Sequence, residues 1–137
     1  MILAATLLAG GSAMAEDAFV TAARHLSVRR LESGLPDMTL EHWLRKLTAH
    51  NTAIQWESND CGEQTGTRAD SSRDVPVCAQ ASAEAVHGGV VSISVALGTL
   101  SRGISGEPAL FDATLTRRNQ TSTFRTLGAL AKAVRSK

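Results

Sequence analysis

The sequence contains no motif that identifies a reaction. It lacks the Gly-Lys-Ser/Thr ending of a phosphate-binding loop, the Gly-x-Ser-x-Gly nucleophile turn and the spacing of an EF-hand. Its two cysteines do not form a Cys-x-x-Cys redox pair, and its four histidines are too scattered to predict a zinc site. We therefore expect a non-catalytic protein without metal or cofactor, although a serine–histidine pairing between distant positions stays open.

Aromatic residues are scarce, and acidic residues are absent from the last part of the chain. Only 4% of the residues are aromatic, so the basic stretches offer no platform on which bases could stack, and we expect no nucleic-acid partner. No acid follows Asp112, whereas six later residues are basic: Arg117, Arg118, Arg125, Lys132, Arg135 and Lys137. We interpret them as a solvated helix face and a basic tail, with an anionic lipid as the weaker alternative.

The first fifteen residues carry no charge. Residues 1–15 run from an apolar stretch into an Ala-Met-Ala sequence before Glu16, which is typical of a secretory signal peptide and its cleavage site. The usual early positive charge is missing, since the first basic residue is Arg24, so an apolar N-terminal helix of a cytosolic protein is the alternative. No later segment is long and apolar enough to span a bilayer. We expect residues 16–137 to form one domain in the bacterial periplasm or outside the cell.

Hydrophobic spacing predicts three helices. The first covers residues 17–33 and ends at Gly34. The second begins at a cap on Asp37 or Thr39 and reaches about residue 50; its apolar stripe is Leu40, Trp43, Leu44 and Leu47. The third covers about residues 123–135, with Ser122 as its candidate cap.

Between the second and third helices the apolar period changes to two, which predicts strands with one wet face. Apolar and polar residues alternate in four segments: 54–57, 75–85, 91–97 and 111–116. The predicted fold is an α+β domain with two N-terminal helices, a four-stranded antiparallel meander and a C-terminal helix, the helices packing on one face of the sheet. This order resembles cystatin-like folds in outline. The Gln-x-Val-x-Gly loop of cystatins is absent, so the resemblance implies no function.

The two cysteines of an exported chain predict a disulfide between Cys61 and Cys78. If the two residues stand opposite each other on the first two strands, Trp56 faces Ala83 on the apolar side and Glu57 faces Ser82 on the polar side. We expect a solvent-exposed cystine on that polar side, which stabilises the fold by about 3 kcal/mol through loop closure.

Two connections look long and polar, namely residues 62–74 and 98–108, whereas His87-Gly88-Gly89 predicts a tight turn. In a meander the two long connections leave the same end of the sheet, which is a common place for recognition. The candidate binding residues are Asp60, Glu63, Arg73, Asp74, Thr99, Arg102, Ile104 and Glu107. Solubility of the charged loops, and burial of Leu100 and Ile104 in the core, are the alternatives.

These observations predict an exported binding protein that recognises a protein, peptide or glycan through the two connections. A braced loop carrying Arg102-Gly103-Ile104 would suit an inhibitor of a hydrolase. Two further hypotheses are a small envelope hydrolase that uses Glu57, Asp60 and Glu63 near Cys61, and an assembly component that uses the basic last helix.

Overall fold

The computed structural model describes residues 17–61 and 75–137. In chain order its elements are α1 (Ala18–His25), a 3-10 helix (Val28–Arg30), α2 (Leu40–Arg45), β1 (Gln55–Asp60), β2 (Pro76–Glu84), β3 (Val90–Thr99), β4 (Gly103–Arg117), β5 (Gln120–Thr123) and α3 (Leu127–Arg135). The strands form an antiparallel sheet in the order β1-β2-β3-β4-β5. The predicted α+β meander is therefore confirmed, with five strands rather than four. The predicted signal peptide lies outside the described residues, and no helix within those residues is long and apolar enough to cross a membrane.

The predicted first helix over residues 17–33 is wrong in its second half. α1 ends at His25 because Leu26 and Ser27 adopt extended backbone angles. The Leu40 N–H donates to the Leu26 carbonyl at 2.7 Å, and the Val28 N–H donates to the Met38 carbonyl at 2.8 Å. This short pairing of two chain segments overrides the helical period of the sequence.

The second helix is shorter than predicted but keeps its buried stripe. Thr39, not Asp37, caps α2 by accepting from the His42 N–H at 3.1 Å, while Asp37 accepts from the Ser27 hydroxyl at 2.8 Å. α2 ends at Arg45 instead of near residue 50. All four residues of the predicted stripe are buried: Leu40, Trp43, Leu44 and Leu47.

The fifth strand ends with Ser122 and Thr123, the residues that were expected to cap and begin the last helix. Arg118 and Asn119 have φ values of 52° and 65°, which is the geometry of a two-residue hairpin turn, and the chain returns as β5 beside β4. Ser122 pairs with Leu115 in this strand instead of capping a helix. Thr126 caps α3 by accepting from the Ala129 N–H at 3.1 Å.

The core lies between the helices and one face of the sheet. The buried residues of that face alternate along the central strands: Ala79, Ala81 and Ala83 of β2, Val91, Ile93, Val95 and Leu97 of β3, and Ala113 and Leu115 of β4. Small alanines on β2 let α1 and α2 approach the sheet closely, and α3 adds Leu127, Leu130 and Val134. The other face is polar, for example where the Gln80 amide donates to the Ser92 hydroxyl at 3.0 Å.

The register of β1 and β2 differs from the prediction by two residues. Trp56 pairs with Ala81 rather than Ala83, and Glu57 pairs with Gln80 rather than Ser82. A shift of two keeps every side chain on its predicted face, because side chains alternate with a period of two. Trp56 accordingly packs against the core.

The disulfide between Cys61 and Cys78 is present, with a Cα–Cα distance of 5.1 Å. The two cysteines are not directly opposed. Cys78 pairs with Asn59, and Cys61 follows the last residue of β1. The expectation of a solvent-exposed cystine is wrong, since Cys61 is 3% and Cys78 0% exposed. Cys78 lies on an interior strand between Asn59 of β1 and Ala96 of β3, and strand alternation places it on the face opposite Ala79 of the core.

The predicted long connection over residues 98–108 is also wrong. β3 continues to Thr99 and β4 begins at Gly103, so a turn of only three residues, 100–102, joins them. The glycines that suggested a loop permit this tight hairpin. A Cβ at Gly98 would stand 1.9 Å from the Gly103 carbonyl oxygen, and Gly103 has a φ of +77°.

Candidate binding surface

One end of the sheet carries the disulfide and the β3–β4 turn. We call it the cystine end and define it by residues 60–61, 75–77 and 98–104. The Leu100 N–H donates to the Val75 carbonyl at 3.1 Å, so the turn contacts the residue that follows the 62–74 connection. The 62–74 connection therefore ends beside the β3–β4 turn, at the same end of the sheet, as the meander predicts.

The β3–β4 turn is held by a hydrogen bond within the turn and by the close approach of its two flanking strands. Thr99 pairs with Gly103, and the Thr99 hydroxyl accepts from the Arg102 N–H at 3.2 Å. The close approach of Gly98 and Gly103 holds the two strands together just before the turn. These contacts give Leu100, Ser101 and Arg102 a defined backbone.

A bulge anchors the beginning of β4 to the helical layer. Gly98 pairs with Ile104 and Ala96 with Ala109, so Leu97 is opposed by four residues, 105–108. The Arg30 side chain donates to the Gly106 carbonyl, and the Glu107 N–H donates to the Ser105 hydroxyl at 3.2 Å. The bulge is thus tied to the 3-10 helix.

Large apolar side chains at this end face solvent. Leu100 is 70% exposed, the highest value for a large apolar residue among those described, and Ile104 is 48% exposed. The alternative in which both pack into the core is therefore wrong. Two exposed apolar side chains at one end of the sheet make this end the candidate contact surface.

Ile104 also borders a groove between α1 and β4. The groove has a volume of about 320 Å³ and a largely apolar lining that includes Ala22, Leu26, Leu97, Ile104 and Pro108. His25 and Arg30 lie at its margin. The groove extends the apolar surface from the cystine end along the side of the domain.

The structure brings several of the predicted binding residues together. Asp60 pairs with Val77, Val77 with Gly98 and Gly98 with Ile104, which places Asp60 and Ile104 in one row across four strands. Thr99 and Arg102 form the adjoining turn, and Glu107 is exposed on the bulge. Glu63, Arg73 and Asp74 lie outside the described residues. Leu100 is missing from the predicted set, although a leucine between Thr99 and Ser101 in a turn is itself a signal of exposure.

Glu57 and Asp60, two of the three acids near Cys61, do not converge as a catalytic pair, and Glu63 lies outside the described residues. Glu57 and Asp60 are three residues apart on β1, and Glu57 pairs with Gln80 on the polar face, whereas Asp60 pairs with Val77 on the core side. Residues an odd number apart on a strand project to opposite faces. In residues 17–61 and 75–137, no group of three histidine, cysteine or acidic side chains is arranged to hold a metal ion.

Comparison with protein-family models, with curated proteins and with solved structures finds no match for this chain. The interpretation of the site therefore depends on its geometry.

Proposed function

We propose that the chain is an exported, non-catalytic binding domain that recognises its partner through the cystine end. The exposure of Leu100 on a braced turn carries this proposal. Exposed apolar surface is buried on binding, and a turn already held by hydrogen bonds loses little conformational entropy when it docks.

The chemistry of the surface favours a protein or peptide partner over a glycan. Its exposed apolar groups are the aliphatic side chains of Leu100 and Ile104, and Arg102 adds a cation beside them. Aliphatic side chains fit the apolar pockets of protein surfaces, whereas sugar faces stack on flat aromatic rings. No aromatic residue belongs to the cystine end, and the exposed Phe111 (38%) lies further along β4.

Two observations support export. Residues 1–15 have the pattern of a signal peptide, and the disulfide is of the kind that persists in oxidising compartments. Expression of residues 1–137 in a bacterial host should give a periplasmic or secreted chain that begins at Glu16 and has no free thiol. A full-length chain that stays in the cytoplasm would contradict export.

The binding role is tested by capture of partners from an envelope extract with residues 16–137 as bait. The double variant Leu100→Ser/Ile104→Thr should retain less than about a tenth of the captured partner, because truncation of central apolar contacts commonly costs more than 1 kcal/mol each. Quantitative mass spectrometry measures the retained fraction.

Val90→Thr is the matched control, since Val90 is 49% exposed but lies at the other end of β3. This variant should capture the partner as the unmodified domain does. Equal capture by all three proteins would rule out the cystine end as the binding surface.

A further inference from the structure

A cleft lies at the end of the sheet opposite the cystine end. It is formed by the β2–β3 turn, the β4–β5 turn and the residue that follows α3 by two positions, and its volume is about 350 Å³. The lining residues are His87, Gly88, Gly89, Arg117, Arg118, Gln120 and Lys137. We call this the basic cleft, because four of the seven side chains can carry a positive charge and none of the seven side chains is acidic.

Arg117 lines the cleft and donates only to backbone carbonyls in the hydrogen bonds of its side chain. Its Nε donates to the Gly88 carbonyl at 2.9 Å, and its two Nη atoms donate to the carbonyls of Ala133, Val134 and Ser136 at 2.9–3.3 Å. The carbonyls of Ala133, Val134 and Ser136 lie at the C-terminal end of α3, where carbonyls commonly lack partners within the helix. All four acceptors are backbone carbonyls rather than carboxylates, and those at the helix end carry only a partial negative charge.

Gly89 lets the β2–β3 turn sit directly on Arg117. A Cβ at Gly89 would lie 2.4 Å from the Thr116 carbonyl oxygen and 2.5 Å from the Arg117 Cγ. Gly89 also has a φ of +86°, which favours glycine. The sequence at this turn therefore holds His87 beside the two arginines.

The remaining cations of the cleft have no partners within the described residues. The side chains of His87, Arg118 and Lys137 form no hydrogen bond or ion pair there. Arg118 moreover occupies a turn position with a φ of +52°, where glycine, asparagine or aspartate would cost less. Backbone strain of this kind is concentrated at functional sites, and here the strained residue is one whose guanidinium lines the cleft.

We propose that the basic cleft binds a phosphoryl anion, supplied either as free phosphate or as the headgroup of an anionic phospholipid. The planar fork of Arg118 matches two phosphate oxygens, and His87, Lys137 and the Gln120 amide supply further donors. An anion with several oxygens makes use of all these donors at once, and no acidic side chain of the lining competes with it. This site is separate from the cystine end, so either proposal can fail without the other.

The test is a titration of residues 16–137 with inorganic phosphate, in which amide chemical shifts in NMR spectra report binding. We expect saturable shifts at residues 87–89 and 118–120. Arg118→Gly should weaken the apparent affinity by about tenfold, because it removes a charge-assisted bidentate contact. Glycine adopts a positive φ without strain, so this variant should fold at least as well as the parent chain.

Arg125→Gln is the matched control, because it removes one exposed positive charge that does not line the cleft. This variant should keep the parent affinity. A second arm uses vesicles of phosphatidylglycerol against vesicles of phosphatidylcholine. Binding to the anionic vesicles with no response to phosphate assigns the site to a lipid headgroup. The proposal is overturned if neither probe perturbs the cleft, or if Arg118→Gly and Arg125→Gln weaken binding equally.

Discussion

At the scale of single residues, Arg117 connects a turn of the sheet to a helix. One side chain joins the β2–β3 turn to the end of α3 through four donors to backbone carbonyls. Hydrogen bonds from charged donors stabilise more than neutral ones, and each carbonyl left without a partner carries a desolvation cost.

Arg117→Lys should therefore lower the free energy of unfolding by about 2 kcal/mol, although it keeps the charge, since an ammonium group cannot span the four acceptors. Urea unfolding measures the loss. Arg118→Lys is the control at the neighbouring position and should change stability by less than about 0.5 kcal/mol. A loss for Arg117→Lys as small as that for Arg118→Lys would show that the four hydrogen bonds of Arg117 do not stabilise the fold.

At the scale of elements, α3 receives its N-terminal cap from a distant part of the chain. The Glu32 carboxylate accepts from the Leu127 N–H at 2.7 Å and from the Gly128 N–H at 3.2 Å, while Thr126 serves the Ala129 N–H. The first turn of a helix has unpaired N–H groups and a partial positive charge, both of which a carboxylate satisfies. Glu32 thus joins the chain segment after the 3-10 helix to α3.

Glu32→Ala should lower the free energy of unfolding by about 1–2 kcal/mol, and Glu32→Gln should lower it by less because the amide oxygen keeps one bond. Thermal and urea unfolding measure both values. Glu107→Ala, an exposed acid with no hydrogen bond from its side chain, is the control and should be nearly neutral. No difference between Glu32→Ala and Glu107→Ala would contradict the capping role.

Elements with a clear apolar period were predictable, and those set by tertiary pairing were not. The stripe of α2 and the alternating faces of β2 and β3 follow from residues that must be buried. β5 was missed because all four of its residues are exposed, so no apolar alternation marks it. The break after His25 depends on pairing with residues near Thr39, which no local pattern announces.

The sequence predicted that the candidate binding residues share one end of the sheet, and this was found for four of them, although the connection that carries three of these was not predicted correctly. Asp60, Thr99, Arg102 and Ile104 lie at one end of the sheet, as the meander requires. The glycines of residues 98–108 were interpreted as loop residues, whereas Gly98 and Gly103 permit a close hairpin. The basic cleft was missed, because its cations come from the β2–β3 turn, the β4–β5 turn and the residues after α3. These segments are far apart in the sequence, and only the fold brings them together.

At the scale of the whole molecule, the sheet separates two ends with different chemistry. The cystine end exposes aliphatic side chains on a braced turn, and the opposite end collects cations without acidic partners. The disulfide joins two residues that are 17 positions apart in the sequence. It should raise the free energy of unfolding by about 3 kcal/mol, because it restricts the unfolded chain. The disulfide also fixes the beginning of β2, which follows Val75 directly. The Val75 carbonyl accepts a hydrogen bond from the Leu100 N–H.

The recognition proposal requires that the apolar turn be held rigid, and amide hydrogen exchange at Leu100 tests this most directly. In the oxidised protein the Leu100 amide should be protected by its bond to Val75, and in Cys61→Ala/Cys78→Ala this protection should fall while that of Ile93 in the sheet interior persists. Exchange of Leu100 at the unprotected rate in the oxidised protein, with Ile93 still protected, would contradict the account.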